Sequence, residues 1–232
     1  MKSLKIRKNR DKFAYGEIDL NNLNQLLKEE VDEDRGMDVD EATELAKESI
    51  NKEEVEYYIV LYIKNEKVIG YSIKTDNNTN TVGQVPLKQI AKCAILLEAD
   101  GIINMHNHPA NNCSFSYMDF NSLKWSVRII DEIGVNLVDS IIVTPDGRLL
   151  SLNKVGLIEM YRSYFVVYAG NEDIYMNSLA EAFSEKNFLR LKLKVDVINK
   201  IIKEHGNPGE FKSAEEAIEY FENWRDKDEE RN

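Results

Sequence analysis

The sequence predicts an α/β fold built on a mixed sheet, and three observations carry that prediction. Tyr57 to Lys64 (YYIVLYIK) and Val68 to Thr75 are rich in β-branched and aromatic residues and flank Asn65-Glu66-Lys67, the pattern of a β-hairpin. Two amphipathic stretches follow, each separated from the next by a short apolar run. The resulting order β-β-α-β-α-β-β favours an α/β sandwich in which helices cover a partly parallel sheet.

Taken in order, residues 17–50 read as polar and helical, with Leu20, Leu23, Leu26 and Leu27 at helical spacing and a second amphipathic piece from Ala42 to Ile50. Glu29 to Asp40, acidic and broken by Gly36, reads as a linker. After the hairpin, Asp76 to Asn80 is a polar loop, and Pro86 precedes a helix from Leu87 to Glu98 with Ile90, Ala94 and Leu97 on one face. Gly101 to Met105 is a buried strand. A helix from Asp119 to Ile133 presents Phe120, Leu123, Val127 and Ile130, and Gly134 ends it. Leu137 to Thr144 is a strand, turned by Pro145-Asp146-Gly147 into Arg148 to Leu152. Beyond Gly156, Ile158 to Tyr168 is aromatic, and Ser178 to His205 is charged and helical. Ser213-Ala214-Glu215-Glu216 caps a last helix through Trp224. Three regions follow: a helical, acidic N-terminal extension (1–52), a central α/β domain (53–157) and a mainly helical C-terminal extension (158–232).

The chain of 232 residues carries a net charge of -11, which argues against a general nucleic-acid binder. The charge is uneven: residues 17–48 hold twelve acidic against three basic residues, while Lys2 to Lys12 is basic and reads as a solvated terminus. Cys93 reads as core and Cys113 as a small loop residue; two cysteines make no disulfide framework. With no apolar run near the ~20 residues of a membrane span and no signal-peptide pattern, a cytoplasmic location is expected.

Two of the three histidines stand together in Ile102-Ile103-Asn104-Met105-His106-Asn107-His108-Pro109, ahead of Ser116 and Asp119. On a strand, His106 and His108 share a side because side chains alternate with period two. Asp119, opening a helix, is placed to add a carboxylate. Two imidazole nitrogens and one carboxylate oxygen are a ligand set of catalytic zinc, with a fourth position left for water. His205 is explained by capping at a helix C-terminus.

The run from His106 to Asp119 resembles the signature of the JAB/MPN+ (JAMM) metalloproteases, His-x-His followed by Pro and a loop, then Ser-x-x-Asp. The stretch 55–157, with its His-Asn-His-Pro, resembles the RadC-like branch of that superfamily. The resemblance implies a cytidine-deaminase-like sheet flanked by helices, and a zinc-dependent hydrolase acting on an amide or isopeptide bond of a peptide or protein. It implies His106, His108 and Asp119 as metal ligands and Ser116 as the donor to a developing oxyanion. It also implies a glutamate base on an early strand. Aligning Val68 to Ile73 with that strand puts Ser72 there, while Glu54, Glu56 and Glu66 read as strand-start or hairpin-tip residues unsuited to the role. Two alternatives follow: a catalytically inactive interaction module, or a DNA-repair-associated factor.

Overall fold

The computed structural model describes residues 5–28, 30–75, 85–113, 117–154, 156–159 and 162. The helices expected within 178–224, the cap at His205 and the position of Ser116 lie outside these residues. The chain divides into two units, residues 1–113 with 129–151, and residues 114–128 with 152–232.

The first unit holds a mixed sheet of seven strands. Its path runs β1 (Gly16–Glu17), β4 (Lys67–Thr75), β3 (Tyr57–Lys64), β5 (Gly101–Asn107), β6 (Asn136–Val143) and β7 (Leu149–Ser151), and β2 (Met37–Asp38) also pairs with β4. β3 and β4 form the expected hairpin. Its two-residue turn places Asn65 and Glu66 at φ 49° and 62°, the left-handed pair that matches strand twist. β5 is antiparallel to β3 and parallel to β6, so the sheet is mixed as predicted.

Residues 17–35 are not the helix that leucine spacing suggested. They contain the end of β1 and two short 3-10 turns, Leu23–Gln25 and Glu33–Arg35. Leu26 is buried while Leu27 is 66% exposed, so the leucines share no common face. The local composition explains why: Asp19 accepts a hydrogen bond from the Asn21 amide, and such side-chain bonds compete with helical ones. The helix begins later, as α2 (Val39–Ile50), where Asp38 accepts from the amides of Asp40 and Glu41.

From Lys5 on, the basic segment is more than a solvated terminus. Ile6, within the single turn α1 (Lys5–Lys8), is fully buried, and its amide donates to Ser49 Oγ on α2. Lys5 and Lys12 pair with Glu48 and Glu41, so the basic cluster lies against part of the acidic segment. Ile6, Phe13, Met37, Ala42, Ala46 and Ile50 form one core with Ile59, Leu61, Ile103, Met105, Ile141 and Val143. These odd-numbered strand residues define one face of the sheet.

The even-numbered residues take the other face. There Tyr62 hydrogen-bonds Ser72 at 3.1 Å and meets Cys93 of α3 (Leu87–Leu96). Cys93 is core, as expected, and burial pushes its thiol up to about 12. Ile90, Ala94 and Leu97 are buried as the spacing predicted. α4 (Tyr117–Glu132) buries Leu123, Val127 and Ile130. Gly134, at φ 75°, closes it: its amide bonds Asp131 O and the Val135 amide bonds Ile130 O, a Schellman ending. Among the described residues no helix is long and apolar enough to cross a membrane.

Candidate metal centre

β5 is completely buried along its length, which places its C-terminal end at the margin of the core rather than in an open loop. His106 is the last even-face residue of that strand and His108 follows one residue beyond it. Alternation therefore aims both imidazoles to one side, and their Nε2 atoms lie 3.0 Å apart. Two zinc–nitrogen bonds of roughly 2.0–2.1 Å at a tetrahedral angle separate their nitrogens by about 3.3 Å, so the pair fits one ion.

The tautomer of His108 is set from behind. Its Nδ1 lies 2.8 Å from the Asn112 carbonyl, and only a protonated Nδ1 can donate there. Nε2 is then left with its lone pair directed at the shared position, the usual outer support of a metal-bound histidine. His106 is 5% exposed and stacks on Tyr58, its cross-strand partner, with ring centroids 6.2 Å apart. Few rotamers remain for a ring so enclosed.

Glu56 stands where sequence reasoning did not put it. Tyr58 pairs with His106 in the antiparallel β3–β5 ladder. Continuing that register two residues further, just before β3 begins and just after β5 ends, brings Glu56 level with His108. The ligand atoms of Glu56, His106, His108 and Asp119 all lie within 4.8 Å of one another. Three of the four residues are half-buried and His106 is buried. Ser72, the residue aligned with the missing glutamate, is instead 1% exposed and bonded to Tyr62. The signal that finds Glu56 is strand parity: it is the first carboxylate in phase with Tyr58. Glu66 sits in the hairpin turn and Glu54 is out of the group.

The loop carrying His108 is tied to the β6–β7 turn. Asn111 Nδ2 donates to Asp146 Oδ2 at 3.1 Å, the Asp146 amide bonds Asn111 Oδ1, and Arg148 Nη2 donates to Asn111 O at 2.9 Å. The His108 amide bonds Val143 O. Hydrogen bonds, first from the Thr144 hydroxyl and then from Arg148 and Asn111, bring Asp146 down to about 2. A depressed carboxyl contributes stability that is complete above its ordinary value near ~4 and is lost as pH falls through the folded one. Amide exchange at Asn111 is therefore expected to rise below pH ~4 in the native protein. In Asp146→Asn it is fast and pH-insensitive once intrinsic exchange is subtracted. Cys113, half-buried with its thiol raised by burial, is not in the ligand group.

A mixed sheet with two histidines at the end of a buried strand and two carboxylates beside them defines an α/β protein with a candidate metal centre. Residues 37–157, just over half of the chain, match the RadC-like JAB domain, and the chain belongs to that family. It is 32% identical over 119 residues to a UPF0758 protein of Aquifex aeolicus (strain VF5), covering 51% of this chain and 50% of that one. It is 31% identical over 94 residues to a UPF0758 protein of Actinobacillus pleuropneumoniae serotype 5b (strain L20), covering 40% and 43%. The matched stretch thus spans half or less of these relatives.

Proposed function

We propose that the protein is a zinc-dependent hydrolase of an amide or isopeptide bond. One observation carries the reading: a carboxylate, Glu56, lies in the same group as His106, His108 and Asp119. Two imidazoles and one carboxylate suffice to hold the ion, so the second carboxylate is available for proton transfer. Bound between these residues, a divalent ion would supply Lewis-acid polarisation of a water and a substrate carbonyl. His106, His108 and Asp119 are the proposed ligands. Glu56 accepts the proton of the attacking water at a carboxylate oxygen and delivers it to the leaving nitrogen. Ser116 is proposed, by the family resemblance, to donate a hydrogen bond to the oxyanion.

A catalytically inactive module is the alternative, motivated by Ser72 where the family has glutamate; Glu56 beside His106, His108 and Asp119 favours the hydrolase. The DNA-associated reading comes from the family resemblance and from the basic terminus; of that terminus, Lys5 and Lys12 are paired with Glu48 and Glu41, and the net charge of -11 counts against that reading. A cytoplasmic peptide or protein substrate is the expected partner. The test is a panel of peptide and isopeptide substrates incubated with protein as purified, after chelation, and after return of Zn2+. Cleavage lost on chelation and restored by Zn2+ supports the reading; cleavage indifferent to chelation, or none in any zinc-loaded sample, overturns it.

A further inference from the structure

We propose that Asn107 is the positioning residue for Glu56, holding the backbone on both sides of it through a single buried carboxamide. The inference rests on Glu56 as the proton acceptor and adds what keeps it in place.

Residues 53–56 belong to no strand, so the ladder does not fix Glu56. Asn107 stands between the two histidines, and alternation sends its side chain to the opposite face of β5. There it is completely buried. Its Oδ1 accepts from the Tyr57 amide at 2.7 Å, and its Nδ2 donates to the Val55 carbonyl at 3.0 Å. A longer contact reaches the Glu53 carbonyl at 3.5 Å. The two strong bonds flank Glu56 by one residue each way. Thr75 Oγ1 takes a third point, donating to the carbonyl of Glu56 itself at 3.0 Å.

The choice of side chain follows from what the two backbone groups need. A planar amide offers an acceptor and a donor a fixed distance apart, matching an N–H and a C=O. Leucine has the shape and neither function. Ionised aspartate keeps the acceptor and loses the donor. One dipeptide step of β5 thus serves both halves of the centre: His106 and His108 face the ion, and Asn107 between them holds the base.

The test uses the full chain loaded with Co2+, whose visible spectrum reports its surroundings. Wild type is compared with Glu56→Gln, Asn107→Leu, Asn107→Asp and the double variant Glu56→Gln/Asn107→Asp. Both Asn107 variants are expected to bind Co2+ with wild-type stoichiometry and affinity while shifting its spectrum towards that of Glu56→Gln. The double variant matches Glu56→Gln alone, because a residue acting only through Glu56 adds nothing once Glu56 is gone. In zinc-loaded protein the Tyr57 amide of Asn107→Leu exchanges roughly 10- to 100-fold faster, as loss of one buried hydrogen bond predicts. Val60 and Leu61 amides stay protected and report that the sheet is intact; if they do not, Asn107→Asp carries the comparison. A Glu56→Gln spectrum identical to wild type overturns the underlying reading. A Glu56→Gln change that neither Asn107 variant reproduces, or an additive double variant, overturns the role of Asn107 alone.

Discussion

Glu56→Gln is expected to keep the metal and lose the chemistry. The substitution preserves size and hydrogen-bonding shape and removes the only atoms at this position able to take a proton near neutrality. Removal of a placed general base costs roughly 10²- to 10⁴-fold in rate. Metal content is expected to fall little, because the three proposed ligands, His106, His108 and Asp119, remain in the group. The measurement pairs metal analysis with turnover of whichever panel substrate wild type cleaves. Turnover within a few-fold of wild type would remove Glu56 from the mechanism. Loss of metal together with turnover would make it a ligand instead.

The converse holds for the histidines and Asp119. His106→Ala, His108→Ala and Asp119→Ala each take away a donor and are expected to lose the ion and all cleavage with it. Loss of an outer hydrogen bond to a ligand already weakens metal binding about 10- to 100-fold, so loss of a ligand exceeds ~100-fold. His106 additionally leaves a gap beside Tyr58, so its variant is read against His108→Ala, whose ring is half-buried and less involved in packing. Equal metal content in wild type and the His106→Ala/His108→Ala double variant would sink the assignment of the centre.

Much of this centre was legible because it is local. His106 and His108 are one residue apart on one strand, and Asp119 follows within a single loop, so period-two alternation and spacing suffice. Glu56 is fifty residues from His106; the pairing of Tyr58 with His106 brings its segment near, and the bonds of Asn107 to Tyr57 and Val55 seat it. Aligning β4 with the family's glutamate strand moved the expectation to Ser72. Parity counted back from Tyr58 points to Glu56, the carboxylate that joins the group, but the register across to β5 is a tertiary fact. The hairpin, α3, β5, α4 and β6 were readable because their apolar periodicity agrees with local turn signals such as Pro86 and Gly134. The N-terminal region was not. Its leucines mimic a helix while Asp19, Asn21 and Asn22 favour turns, and its two strands are two residues each, too short to show alternation.

Those two short strands have a consequence for where the family's domain can be cut. β1 and β2 occupy the outer side of β4 along Lys67–Val68 and Gly70–Tyr71, the otherwise unpaired rim of an apolar strand. The family match begins at Met37, so it includes β2 but leaves out β1, Ile6 and Phe13. In this protein the family match and the packed core therefore have different borders: β1, Ile6 and Phe13, outside the match, pair with its edge strand or fill its interior. A segment set apart by sequence similarity is, by packing, continuous with the core.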